Sequence, residues 1–318
     1  MIFFVHILLL LFNMTNIVFC NIETENRIAR GLRITGGQEA SISSAPFVAS
    51  LQRTKNSLAM HICGAVIVSK SFLLTAAHCI TDRDKTKGDK PYKLSNPQEH
   101  LVSTGSRYVE RGKIRMVYRF FVHPEFNARE LLNDFGAIAV MKDFSYNFKT
   151  QPATLPKGDA RETSERLNEL FLAKVECKAY SWGGTNAKSY TILKVVSLHL
   201  IDSTRCKRIL SENRLGRLNE DFQFCTLEES DSPNDACQSD SGGPLVCNGV
   251  VWGLVSWGEG CYRTGNPAVY ARADVASRWL REVVYVSPLG GRRRSNSHTC
   301  LISSTKNIIL IILILLCA

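Results

Sequence analysis

Residues 243–258 read GPLVCNGVVWGLVSWG, a stretch in which two apolar runs flank the dipeptide Asn248-Gly249. An Asn-Gly pair between β-branched runs is a strong signal for a two-residue hairpin, because both residues tolerate the positive φ angles that such a turn requires. The stretch therefore predicts two antiparallel strands joined by a tight turn.

The same pattern of short strands extends on both sides of this hairpin. Comparable runs, rich in β-branched and aromatic residues, are PFVASLQ (46–52), CGAVIVS (63–69), FGAIAVM (135–141) and PAVYARA (267–273). Only VASRWLREVV (275–284) has a convincing helical period, and the lysine-rich stretch 81–100 is typical of a solvated surface insertion. Many short strands and one terminal helix predict an all-β barrel or sandwich.

The composition excludes several classes of protein. The chain has 318 residues, 45% of them hydrophobic and 21% charged, which is not the composition of a disordered or fibrous protein. Its formal net charge of +10 is carried partly by the terminal segments, so the surplus in the middle of the chain does not argue for nucleic acid binding. The sequence has no zinc-finger spacing, phosphate loop or dinucleotide fingerprint. We expect no cofactor, no metal ion and no nucleic acid partner.

The two ends of the chain are apolar. Residues 1–20 resemble the core of a secretory signal peptide, with a signal anchor as the alternative. Residues 308–318, IILIILILLCA, follow a mostly small and polar stretch, an order that matches the signal for a glycosylphosphatidylinositol (GPI) anchor. Ser295 is the first choice for the attachment site and Asn296 the second; a simple tail anchor and a fully secreted protein are the alternatives. We expect an extracellular protein, either secreted or held at the outer membrane leaflet.

Eight of the eleven cysteines lie between residues 34 and 286; Cys20 belongs to the N-terminal segment, and Cys300 and Cys317 belong to the C-terminal tail. An even number of cysteines in a secreted domain predicts four disulfides, but the sequence alone does not say how they pair. None has the spacing of a zinc site. They are Cys63, Cys79, Cys177, Cys206, Cys225, Cys237, Cys247 and Cys261.

Three separated motifs contain residues suited to nucleophilic catalysis. They are TAAHC (75–79), Asn133-Asp134 and DACQSDSGGP (235–244). This set, in the order His, Asp, Ser, resembles the trypsin-like serine proteases of the chymotrypsin type. TAAHC and DSGGP together are highly specific, and the resemblance covers Ile34 to Val286. It implies two six-stranded antiparallel β-barrels with a C-terminal helix.

The resemblance implies a catalytic triad of His78, Asp134 and Ser241. A serine hydroxyl is a weak nucleophile until an imidazole takes its proton, and the aspartate holds that imidazole in the right tautomer. Asp143 is the nearest rival for the acid, because Phe135 follows Asp134 where the family usually has Ile. The N–H groups of Ser239 and Ser241 would form the oxyanion hole.

The resemblance also implies the disulfides and an activation step. The implied pairs are Cys63–Cys79, Cys177–Cys247, Cys206–Cys225 and Cys237–Cys261. Arg33-Ile34-Thr35-Gly36-Gly37 resembles the family's activation site, so that an activating protease would cut after Arg33 and free the Ile34 amine to pair with Asp240. Cuts after Arg27 or Arg30 are possible, but neither creates an N-terminus followed by two glycines. We predict a signal peptide (1–20), a propeptide (21–33), a protease domain (34–286), a polar basic stalk and anchor-signal spacer (287–307) and a removable tail (308–318).

We expect a pocket beside the nucleophile to select the substrate side chain that precedes the cleaved bond. Asp235 precedes Ser241 by six residues, where trypsin-like members have the acid that selects Lys or Arg. Ser256-Trp257-Gly258 resembles the extended strand that pairs with the substrate backbone. Ala268 replaces a usual glycine, so its methyl group would narrow the pocket. Protein or peptide substrates containing Lys or Arg, and protein protease inhibitors, are the expected partners.

One departure from the family keeps a second hypothesis open. Ser239 stands where the family almost always has glycine, whose backbone angles cost other residues about 1–3 kcal/mol. The alternative function is therefore a weakly active, protease-like binding or regulatory module. A purely structural membrane-anchored domain would explain none of the matched spacing. Because all three triad residues and the activation site are present, the sequence favours a serine endopeptidase made as a zymogen.

Overall fold

The computed structural model describes residues 37–83, 92–183, 192–227, 241–258 and 265–286. Contacts divide the chain into one compact unit that ends at Leu280 and a second unit that starts at Arg281. Of the second unit, the structure describes only residues 281–286, the last residues of a helix.

Strands dominate the described residues. In chain order they are β1 (Gln38–Glu39), β2 (Val48–Lys55), β3 (Leu58–Ile67), β4 (Phe72–Thr75), β5 (Thr81–Arg83), β6 (Tyr92–Leu94), β7 (His100–Thr104), β8 (Lys113–Val122), β9 (Gly136–Val140), β10 (Glu176–Ser181), β11 (Lys194–Ile201), β12 (Gln223–Leu227), β13 (Pro244–Cys247), β14 (Val250–Trp257) and β15 (Ala268–Arg272). The α-helices in these residues are α1 (Ala160–Leu172), α2 (Ser203–Glu212) and α3 (Ala273–Val286).

The first barrel is closed and entirely antiparallel. Its strands follow the order β2-β3-β4-β9-β8-β7. Leu51, Ile67, Leu73, Phe120 and Ile138 fill its core. Every residue of β4 and β9 is buried, which explains why these strands do not alternate between apolar and polar residues. Thr75, the one polar residue in them, donates its hydroxyl to the Gly64 carbonyl.

The second barrel has the same strand number and a different core. Its order is β11-β10-β13-β14-β15-β12, and the pairing of β11 with β12 closes it. The short strand β1 pairs with Lys194 and Val195, the first residues of β11, which β12 does not reach. Leu198, Leu245, Val255 and the stacked rings of Phe224 and Tyr270 pack inside. Two six-stranded barrels and a C-terminal helix confirm the predicted fold class.

The hairpin predicted for residues 243–258 is confirmed. It is β13 paired with β14, and its turn residues Asn248 and Gly249 have φ of 49° and 76°. The predicted helix 275–284 is also confirmed, within α3.

Two helices were not predicted. Helix α1 begins with a capping box, in which Asp159 accepts from the Glu162 N–H and Glu162 accepts from the Asp159 N–H. Its contact with the second barrel uses three apolar side chains, Leu167, Leu170 and Phe171, together with Arg166, which lies over the Trp252 ring. Its sequence therefore carries too few apolar residues for a clear helical stripe. Helix α2 begins at the cap Asp202 and buries little besides Cys206 and Leu210.

The stretch 81–100 is more regular than a simple surface insertion. It contains the paired strands β5 and β6 and a 3-10 turn at Pro97–Glu99 capped by Asn96. Residues 84–91, between the two strands, lie outside the described residues.

Three of the four implied disulfides are present in the described residues. They are Cys63–Cys79, Cys177–Cys247 and Cys206–Cys225. Each contributes about 2–4 kcal/mol to the free energy of unfolding. Cys237 and Cys261, the fourth pair, lie outside the described residues. Within the described ranges, the helices are too short or too polar to cross a bilayer.

Candidate active site

His78 lies in a short 3-10 turn, Ala77–Ile80, that follows β4. The neighbouring Ala76 and Ala77 are fully buried, and the disulfide from Cys79 to Cys63 ties the turn to β3. The His78 side chain itself is 31% exposed. The turn therefore presents an accessible imidazole on a rigid backbone.

Asp134 lies just before β9, with a fully buried carboxylate. Its Oδ2 is 2.8 Å from His78 Nδ1, and its Oδ1 accepts the His78 backbone N–H at 2.9 Å. The rival Asp143 lies on the surface beyond β9, and its backbone carbonyl accepts from the Arg115 guanidinium. The structure therefore brings Asp134 against the imidazole.

A third donor completes the surroundings of this carboxylate. The Ser256 hydroxyl, buried on β14, donates to Asp134 Oδ2 at 2.6 Å. The sequence predicts Ser256 as a substrate-binding residue and does not predict this contact. A signal for it exists, because a hydroxyl inside the apolar strand VVWGLVSW needs a buried partner.

The buried carboxylate also changes the acidity of the imidazole. Burial alone would lower the pKa of His78, but the charge of Asp134 and the hydrogen bond to it outweigh burial. The pKa of His78 is therefore raised above its ordinary value. With the ionised Asp134 accepting, Nδ1 carries the proton and Nε2 keeps a free lone pair.

The backbone of Ser241 is held between the two barrels. Its carbonyl accepts the Gly64 N–H of β3 at 2.8 Å, and the next N–H, of Gly242, donates to Val255 of β14 at 2.8 Å. Cys79 Sγ lies 3.6 Å from the same Ser241 carbonyl oxygen. The residue that follows His78 is therefore in contact with the backbone of Ser241.

Gly242 permits this close approach. Its φ is 77°, and a Cβ there would lie 2.2 Å from Thr75 Oγ1 and 2.5 Å from the Gly64 carbonyl oxygen. Any side chain would push the nucleophile loop away from β3 and β4. Steric crowding where the two barrels meet therefore explains why the first glycine of the DSGGP motif has no side chain.

Comparison with known proteins agrees with this geometry. The family model described as Trypsin matches residues 34–280. The chain belongs to the trypsin family. Its relatives include Trypsin epsilon of Drosophila erecta, 31% identical over 78% of this chain and 86% of the relative. Trypsin-2 of Salmo salar is 29% identical over 78% of this chain and 94% of the relative. Trypsin of Sus scrofa is 27% identical over 79% of this chain and 96% of the relative.

Membership of the trypsin family makes the protein a serine endopeptidase. Phe135, its departure from the family after Asp134, is fully buried and packs on His123 and on Trp279 of α3, with ring centroids 4.9 and 5.6 Å apart. The Phe135 ring is thus accommodated in a cluster with His123 and Trp279, which also contact each other.

The structure describes some of the other predicted site residues and not others. Trp257 ends β14, and its indole lies against the backbone of Gly216. Ala268, 8% exposed, opens β15 opposite Thr226. Gly258 follows Trp257 directly. The predicted residues Arg33, Ile34, Asp235, Ser239, Asp240, Ser295 and Asn296 lie outside the described residues.

One cluster in the described residues resembles a metal site by composition alone. Ligand atoms of Cys63, His78 and Cys79 lie within 4.8 Å of one another. The two sulfurs are bonded to each other, so neither is a thiolate able to bind a metal ion.

Proposed function

We propose that this trypsin-family endopeptidase cleaves peptide bonds after Lys or Arg through an acyl-enzyme, with Ser241 as nucleophile, His78 as base and Asp134 as the acid that holds it. The observation that carries the proposal is the Asp134 carboxylate. It is fully buried and accepts from the backbone N–H of His78, from His78 Nδ1 and from the Ser256 hydroxyl.

The chemistry follows from that arrangement. As Ser241 Oγ attacks the scissile carbonyl carbon, His78 Nε2 takes its proton, and the imidazolium is stabilised by Asp134. The same proton then passes to the leaving amine as the C–N bond breaks, which leaves the acyl group on Ser241. A water molecule, deprotonated by His78, attacks the ester and releases the acid and the free serine.

The proposed specificity is supported by the sequence around the nucleophile. Asp235 precedes Ser241 by six residues, as the pocket acid does in trypsin-like members, and would attract an ammonium or guanidinium group. Ser256, Trp257 and Gly258 would align the substrate backbone. Ala268, with its methyl group, would narrow the pocket and disfavour the broader guanidinium. Protein inhibitors that present Lys or Arg are expected to bind the same cleft.

A second candidate is a binding or regulatory module of low activity. The observation that favours it is Ser239, whose N–H would share the oxyanion hole with that of Ser241. If Ser239 distorts the hole, Ser239→Gly should raise kcat. If it only crowds the rim, the same change should leave kcat alone and tighten the binding of large protein inhibitors.

We also propose that the enzyme is made as a zymogen. An activating protease would cut after Arg33, and the new Ile34 amine would pair with Asp240, next to the nucleophile. A buried carboxylate needs such a partner, which couples the cut to formation of the pocket.

The proposed location is extracellular, with a GPI anchor at Ser295 or Asn296. The support is compositional: an apolar run at 308–318 after a small, polar spacer. Phosphatidylinositol-specific phospholipase should release the protein from intact cells. Protein that stays on the surface, or was never there, would contradict the anchor.

A substrate panel tests the proposed function. Protein cut after Arg33 should hydrolyse peptides that end in Lys or Arg far faster than peptides that end in Phe. The Ser241→Ala variant, cut in the same way, serves as the control and should lose about a million-fold in kcat. Equal turnover of Phe peptides would refute the specificity, and undiminished activity of Ser241→Ala would refute the triad.

A further inference from the structure

The loop that leads into Asp134 has an unusual backbone. Leu131 and Asn133 both have φ of 51°, in the left-handed region. This region is uncommon for side chains such as leucine and costs about 1–3 kcal/mol where it occurs. A turn of this kind persists only where its surroundings hold it.

Two hydrogen bonds close to Asp134 depend on this backbone. Asn133 Nδ2 donates to the Glu125 carbonyl at 3.3 Å, and the Phe135 N–H donates to the Asn133 carbonyl at 2.8 Å. The second bond closes a three-residue turn centred on Asp134. The direction of the carboxylate therefore follows from the conformation of the residues that precede it.

A buried amide from the other barrel also holds this loop. Gln223, 2% exposed at the start of β12, donates from Nε2 to the Leu131 carbonyl at 3.0 Å. Its Oε1 accepts the Asn219 N–H at 3.1 Å. Since one end of the amide faces an acceptor and the other a donor, its orientation is determined by its partners.

We propose that Gln223 is a positioning residue for the catalytic acid: by holding the Leu131 carbonyl, it keeps the left-handed turn that aims Asp134 at His78. Gln223 acts through the backbone, across the junction of the two barrels, and its contact, Leu131, lies three positions before Asp134. The proposal rests on the triad proposed above.

A merely structural role for Gln223 gives a different expectation. If the amide only stabilises β12 and its preceding turn, its loss should lower the melting temperature and leave the chemistry unchanged. If it aims Asp134, its loss should lower kcat more than it raises KM, because a misplaced acid weakens a transition-state interaction.

The test compares two buried amides in the activated enzyme. Gln223→Met keeps a similar length and removes both hydrogen bonds; Gln223→Leu repeats the test if Met is not accommodated. Gln52→Met is the matched control, because Gln52 is 4% exposed and also donates to a backbone carbonyl, that of Val109, at 3.0 Å. Its bond lies on the first-barrel side and involves no residue of the loop that carries Asp134.

The readouts are kcat, KM, the pH dependence of kcat/KM and the melting temperature. For Gln223→Met we expect kcat to fall about tenfold, KM to stay within about twofold, and the acid limb of the profile to move to lower pH. Gln52→Met should lower the melting temperature without these changes. Unchanged kcat with an unmoved acid limb, or a rise in KM alone, would overturn the proposal.

An Asp134→Asn variant distinguishes failure of the positioning role of Gln223 from failure of the proposed catalytic triad. Normal activity of Asp134→Asn would remove the triad assignment and the positioning role together. A large loss in Asp134→Asn, combined with wild-type kcat in Gln223→Met, would leave the triad intact and reject only the role of Gln223.

Discussion

The two barrels have the same strand number and the same antiparallel pairing, yet they support catalysis differently. The first barrel holds His78 through a disulfide beside it and Asp134 through a hydrogen-bonded turn. The second barrel has one disulfide between two of its strands and another that joins α2 to β12, and it supplies the buried hydroxyl of Ser256, which donates to the acid of the first barrel.

This difference shows that neither barrel builds the site alone. The Ser241 carbonyl accepts a hydrogen bond from the Gly64 N–H of the first barrel, and the N–H of the next residue, Gly242, donates to the Val255 carbonyl of the second. The catalytic groups therefore depend on contacts at the junction, while the interior of each barrel serves stability. Substitutions at the junction should change rates, and substitutions in the interiors should change the free energy of unfolding.

After the loss of the nucleophile itself in Ser241→Ala, the largest expected effect at the junction comes from Asp134→Asn. The amide would offer an N–H to Nδ1 and favour the wrong tautomer of His78, so kcat should fall about ten-thousand-fold. Because Asp134 raises the pKa of His78, its neutralisation should move the acid limb of kcat/KM to lower pH. A pH profile of both enzymes checks this; an unmoved limb would mean that another group controls the titration.

Away from the junction, the largest effect should come from the buried carboxylate of Asp274. It accepts from Arg272 at 3.0 Å, from Thr163 of α1 at 2.7 Å and from Arg278 at 3.1 Å. Removal of the charge by Asp274→Asn would leave the buried Arg272 without its ionic partner, so it should cost about 3–5 kcal/mol of unfolding free energy while kcat changes little. Denaturant titration measures this cost, and a comparable loss of kcat in the folded enzyme would show that the two roles are not separate.

The shifted pKa of Asp274 predicts that the free energy of unfolding depends on pH. Burial alone would raise the pKa of Asp274, but the hydrogen bond and charge of Arg272, together with Thr163 and Arg278, hold it below its usual range. Its stabilisation is therefore present above the unfolded-state pKa and is lost as the pH falls through the folded-state value. Asp274→Asn should show less of this acid-side loss of stability.

Removal of single disulfides should have smaller effects on stability, and it distinguishes a bridge beside the catalytic residues from one inside a barrel. Replacing both cysteines of Cys177–Cys247 by serine should cost about 2–4 kcal/mol and leave kcat near normal, because this bridge joins β10 to β13. Replacing Cys63 and Cys79 should cost a similar amount and also lower kcat, because that bridge holds the turn of His78. Equal kcat in the two variants would contradict the division between junction and interior.

The smallest expected effect concerns the pocket. Ala268→Gly should raise kcat/KM for Arg peptides relative to Lys peptides by a few-fold, because one methyl group in a pocket is worth about 1–3 kcal/mol at most. Steady-state kinetics on matched peptides gives the ratio. An unchanged ratio would show that the methyl group does not limit the width of the pocket.

Local patterns in the sequence predicted much of the fold. The hairpin at Asn248-Gly249 and helix α3 were identified because their signals lie within a few residues of one another. Helix α1 was missed, since its stability comes from a capping box and a narrow contact with the second barrel, and it has no broad apolar stripe. The strand pair β5 and β6 was also missed, because its residues are largely polar.

The sequence by itself determined the family, the fold class and the residue types available for catalysis, because motifs and strand periodicity are local properties. Only the tertiary structure decided that Ser256 and Gln223 of the second barrel contact Asp134 and its loop in the first. These partners are 122 and 92 residues apart along the chain. Such hydrogen bonds leave no local periodicity in the sequence, since their geometry exists only after both barrels have closed and packed together.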